Sequence, residues 1–184
     1  MSSQIDELKA ELARLTRHAQ ALIAPLDEVQ LAAVPPEGGW SVGQCFAHLE
    51  TVGRCYTDKL ERAVDDAHRR GLSGNGPYRM GIFGRFFVRS QEPPVRRKIG
   101  APTAFMPSDL KPLDAFRRYL EMHVNLADVM TRAEGLPLNR MKITSARLRL
   151  NVFETFHATL AHERRHLWQV ESIIISFQNL VPLR

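Results

Sequence analysis

Cysteine is scarce in this sequence. Cys45 and Cys55 are the two in the chain, and their separation within one expected helix sets them about 15 Å apart along its axis. That is too far for a mutual disulfide, and two unpaired thiols fit a reducing cytoplasm. Long hydrophobic runs are missing as well. No stretch approaches the roughly 18 continuous apolar residues of a membrane span, and the N-terminal segment is amphipathic and charged rather than a basic stub followed by an apolar run. Strand-like alternation lasting more than a few residues, repeats and low-complexity tracts are also absent. These gaps leave a helical, cytoplasmic chain with no expected membrane partner.

What is present suffices for one core: 184 residues, 44% of them hydrophobic, are the size of a single ordinary domain. The formal charge is +5, from 25 Lys and Arg against 20 Asp and Glu. Its distribution matters more than its sum. Arg79, Arg85, Arg89, Arg96, Arg97 and Lys98 crowd one glycine- and proline-rich stretch, whereas the helical segments mix signs along their faces. No nucleic-acid partner is expected from that pattern. The cluster reads as a solvated loop or as the mouth of a pocket for an anionic small molecule, with Arg97 a candidate substrate-binding residue.

Four long segments carry helical periodicity between glycine and proline breaks. The first runs from about Ser3 to Val34, with Ile5, Leu8, Leu12, Leu15, Ala19 and Leu22 on one stripe, and is kinked or interrupted near Pro25. The second starts at Ser41, where Ser41 and Gln44 have capping-box spacing, and continues to near Gly71. A long connection follows, from Gly71 to about Pro107, with a short helix expected over Gly81 to Arg89. Its Phe83, Phe86 and Phe87 are expected to pack over the open end of a bundle rather than to touch a membrane surface. The third helix is signalled by Ser108 as N-cap and Asp109 in its first turn, with Leu113, Phe116, Leu120, Val124 and Ala127 as its stripe and Gly135 as its stop. The fourth runs from Ala146 or Asn151 to Ser176, with Phe153, Phe156, Leu160, Leu167, Val170 and Ile174 inward.

The fourth segment contains His162-Glu163-Arg164-Arg165-His166, the H-E-x-x-H pattern of zinc proteases. Histidines at i and i+4 lie about 40° apart around a helix, so both imidazoles can reach one ion. A protease also needs a third ligand after the motif. Gln169 and Ser172 stand where the extended form places Gly and His, and the protease reading is the weakest of the candidates. A third ligand from another helix is available in His48, at the border of the second helix's apolar stripe. Three histidines on two helices can converge in a bundle core. Glu163 turns toward the core, where an unpaired carboxylate is costly; it is a candidate catalytic base or an acceptor orienting a ligand histidine. Gln44 and His123 are candidates to line the same pocket, with a plain hydrogen-bonded core role as the alternative. His18, His68 and His157 read as surface or helix-face residues.

The Trp40-Ser41 start of the second helix, followed by His48-Leu49, and the fourth helix's His-Glu-Arg-Arg-His-Leu-Trp-Gln resemble the two signature regions of the DinB-like superfamily. The similarity covers essentially the whole chain. It implies an all-α four-helix bundle of DinB type, with the long connection between helices two and three. It also implies a divalent metal, zinc or nickel, held by His48, His162 and His166 with an open fourth position, and frequent homodimers. Members that this chain resembles include S-transferases and isomerases using low-molecular-weight thiols, and metal-dependent hydrolases. The expected function is therefore a metal-dependent enzyme acting on a small-molecule substrate, by thiol transfer or hydrolysis. The alternative is a non-catalytic, metal-binding stress protein or dimerising bundle.

Overall fold

A computed structural model describes residues 3–95, 100–145 and 148–178. The chain is mostly helical. Helix α1 (Gln4–Ile23) opens on a capping box in which Ser3 and Asp6 exchange side-chain-to-backbone bonds. It buries the expected stripe of Ile5, Leu8, Leu12, Leu15 and Ala19. The Pro25 break is real: helix stops at Ile23, and a separate turn of helix, α2 (Glu28–Ala32), follows with Asp27 as its cap. Helix α3 (Val42–Arg69) starts on the Ser41–Gln44 box, with bonds of 2.9 and 3.2 Å.

Helix α4 (Ile82–Gln91) lies within the long connection and packs on α6 (Val152–Gln178). Its orientation corrects the sequence expectation. Gly84 and Val88 face inward, while Ile82, Phe83 and Phe86 are 83%, 60% and 71% exposed. Phe87 alone packs as expected, half-buried against Val88, Leu150, Ala158 and Ala161; a Cβ at Gly84 would lie 2.6 Å from Cδ of Glu154, so the helix rides on α6 along its glycine edge and turns Ile82, Phe83 and Phe86 outward. A 3-10 turn (Thr103–Phe105) precedes helix α5 (Pro112–Arg132).

Two expectations for α5 are corrected, its start in full and its stripe in part. It begins at Lys111 and Pro112 rather than Ser108, because proline removes an N–H and presets φ, which suits the first helical position. Of the expected stripe, Phe116 is buried and Leu120 and Ala127 pack half-buried on the core, whereas Leu113 and Val124 are exposed; the buried face is Ala115, Phe116, Tyr119, Met122, His123, Leu126, Val129 and Met130. Gly135, with φ of 75°, ends it as expected.

A short antiparallel hairpin, β1 (Lys142–Ser145) and β2 (Leu148–Asn151), stands where the sequence suggested no strand. Ile143 pairs with Leu150 and both are buried. Asn151 then caps α6: its side chain accepts from the Glu154 N–H at 2.7 Å, and Glu154 Oε2 accepts from the Asn151 N–H at 2.8 Å. Helix α6 accordingly starts at the later of the two expected positions. Helices α1, α3, α5 and α6 share one apolar core, with α3 and α1 each packed on both α5 and α6. Cys45 lies in that core, where burial pushes its thiol up to about 12. No described helix is long and apolar enough to cross a membrane.

Candidate metal centre

α3 and α6 bring His48, His162 and His166 together. One nitrogen from each lies within 4.8 Å of the others, and among the described residues this is the one cluster of His, Cys, Asp or Glu able to hold an ion. The Nε2 atoms of His48 and His162 are 3.2 Å apart. Each ring offers its other nitrogen to an oxygen: His48 Nδ1 donates to the Phe105 carbonyl at 2.6 Å, His166 Nδ1 to Gln169 Oε1 at 3.0 Å, and His162 Nδ1 to Gln91 Oε1 over a longer 3.5 Å. A carbonyl oxygen can only accept, so the proton sits on Nδ1 and the Nε2 lone pair is left for the cluster.

Electrostatics agree with that assignment. Burial, aided by the neighbouring imidazoles and Arg165, holds His162 well below its usual range. Burial and His48 bring His166 down to about 3, and His48 itself is lowered by burial. All three are therefore neutral at neutral pH. Two Nε2 lone pairs 3.2 Å apart repel unless a cation lies between them. Around a tetrahedral zinc, bonds of about 2.0–2.1 Å set ligand nitrogens about 3.3 Å apart. The donor set thus fits a divalent metal. Trp40 covers one side, its ring centroid 4.7 Å from that of His48 and 6.1 Å from that of His166.

The family model described as the DinB superfamily matches residues 11–170. The chain belongs to the DinB superfamily. No curated protein and no solved structure matches it at a significant level. The DinB match covers α3 and the part of α6 up to residue 170, and so includes all three histidines.

In this DinB chain the other candidate residues are dispersed. Gln44 is exposed, and its side chain is used in the α3 capping box. His123 is buried on α5 with Nδ1 2.7 Å from Thr16 Oγ1 and Nε2 3.4 Å from Glu163 Oε2. Glu163, 1% exposed, has Oε2 3.4 Å from His123 Nε2, with neither atom hydrogen-bonded among the described residues, and its charge also acts on His48. Tyr119 completes this group: its ring packs on His123, and burial with the Glu163 charge raises its phenol well above 10. Arg97 lies outside the described residues, as do Arg96 and Lys98. Sequence reasoning did not find Trp40, Gln91, Phe105 or Gln169 as partners of the cluster. Gln169 alone had a usable local signal, three residues after His166 on the same helix.

Proposed function

We propose that this DinB protein is a cytoplasmic, single-domain four-helix bundle in which His48, His162 and His166 hold a divalent metal, zinc or nickel. It acts on a small-molecule substrate, by transfer of a low-molecular-weight thiol or by hydrolysis. The observation carrying this reading is that three neutral imidazoles each bring a ring nitrogen within 4.8 Å of the others while each Nδ1 faces an oxygen acceptor. Three protein ligands leave a position for water or substrate, the pattern of a reactive site rather than a closed one. A metal bound there would lower the pKa of a ligated water or thiol and supply a nucleophile at neutral pH.

The protein's own contribution is positioning. The Phe105 carbonyl, Gln91 and Gln169 fix the tautomers and ring orientations. Trp40 shields the imidazoles from bulk water. Glu163 stands against His123, which speaks against a base role of the H-E-x-x-H protease kind.

Elemental analysis of the purified protein beside a His162→Ala/His166→Ala variant, followed by a panel of thiol acceptors and esters, tests the proposal. Near-stoichiometric metal and turnover in the wild type, both lost in the variant, are expected. Metal without turnover would leave a non-catalytic metal-binding bundle, and absence of metal after reconstitution would end the proposal.

A further inference from the structure

On the side of α6 opposite the histidines lies a cleft of about 770 Å³, between α1, α6 and residues 78–85. Phe153, His157, Leu160 and Arg164 line it from α6, and the helical repeat sets these roughly 140–220° around the axis from His162. Its volume falls within the ordinary range for small-molecule sites.

The wall over residues 78–81 is held position by position. The Tyr78 N–H donates to Gln4 Oε1 at 2.6 Å, and Gln4 Nε2 returns a bond to the Tyr78 carbonyl at 3.0 Å. The Arg79 N–H donates to Asn139 Oδ1 and its carbonyl accepts from Asn139 Nδ2. The Gly81 N–H donates to the buried Glu154 at 2.8 Å. Three side chains from three separate parts of the chain thus fix this backbone.

The charges of the cleft fall into three sets, the first being Glu7, a carboxylate that lines it from α1. Glu11 is taken up by Arg14 and Arg164, and Arg164 also binds both oxygens of Glu92. Arg79 and Arg85, at the rim, have no carboxylate or carbonyl partner for their guanidinium groups among the described residues. The apolar and aromatic part of the lining includes Tyr78, packed on Phe153, and Phe153 is edge-on to His157. Burial and Arg164 keep His157 neutral near pH 7.

We infer that this cleft is a second binding site, independent of the metal, for an organic anion with an apolar or aromatic body. The carboxylate or sulfonate sits between Arg79 and Arg85, and the body lies against Tyr78, Phe153 and Leu160. A preorganised rim with two unspent guanidinium groups is suited to charge-assisted bonds to such a group.

Titration with 8-anilinonaphthalene-1-sulfonate, beside the uncharged N-phenyl-1-naphthylamine, tests the site. Saturable single-site binding of the sulfonate, displaced by decanoate, is expected. Arg79→Ala/Arg85→Ala should weaken the sulfonate about tenfold, or about 1.4 kcal/mol, and leave the uncharged dye unchanged. His48→Ala should change neither. Equal loss of both dyes in the arginine variant, loss of the sulfonate in His48→Ala, or no saturable binding at all would overturn the inference. Circular dichroism and metal content of each variant verify that the fold is kept.

Discussion

Glu163 Oε2 faces His123 Nε2 at 3.4 Å inside the core, one residue beyond a candidate metal ligand. Neither atom has a hydrogen-bond partner among the described residues. Thr16 can give its single proton either to the Leu12 carbonyl at 2.9 Å or to His123 Nδ1 at 2.7 Å. When it goes to Nδ1, the imidazole presents Nε2–H to Glu163. Glu163→Ala removes the carboxylate that faces the buried His123 and Tyr119 and empties its place in the core, at a cost of about 1–3 kcal/mol. Urea unfolding of the metal-free protein measures this, with Glu163→Gln expected to lose less. Metal content should be unchanged in both variants, since Glu163 is not among the nitrogen donors.

Acid should unfold the metal-free protein earlier than its carboxylates alone require. The folded pKa values of His48, His162 and His166 are all lowered from 6.5. The unfolded chain therefore binds protons that the folded one refuses. The sign follows: stability is complete above about pH 6.5 and falls as pH drops below it, by up to about 1.4 kcal/mol per pH unit for each such histidine. For His166 the loss continues down to about 3. Chemical denaturation between neutral pH and pH 5 measures it, and His166→Gln should flatten the slope.

Gly84→Ala should destabilise the protein. A Cβ there would lie 2.6 Å from Cδ of Glu154, and Glu154 is already committed to the Gly81 and Asn151 N–H groups. Because neither can yield cheaply, a loss of about 1–3 kcal/mol is expected for this overpacking. Thermal unfolding would show it, and Gly84→Ala/Glu154→Gln should not restore stability, because the shape conflict remains.

Local patterns were the legible ones. The Ser41–Gln44 box and the His162–His166 pair are set by spacings of three and four residues within one helix, which any reader of the chain can measure. The α1 stripe was equally plain. Residues that meet across the fold were not: the Phe105 carbonyl that orients His48 is a backbone group and leaves no signature in sequence. Helix α4 is apolar on several sides, so only the tight seat of Gly84 on Glu154 decides which side is inward. The α5 stripe was displaced because Leu113 and Val124 look like core residues yet sit one row away from Tyr119 and Leu126. The missed hairpin did carry a signal, the β-branched pair Ile143 and Thr144, in a run too short to outweigh its flanks.

Helix α6 presents the histidine cluster on one side and the wall of the cleft on the other. Its two sides can consequently be diversified apart from each other. A combinatorial library at Arg79, Met80 and Arg85 would remodel the rim of the cleft without replacing any of His48, His162 or His166. The same backbone could in this way be selected for new small-molecule recognition while its histidine cluster is held as a constant.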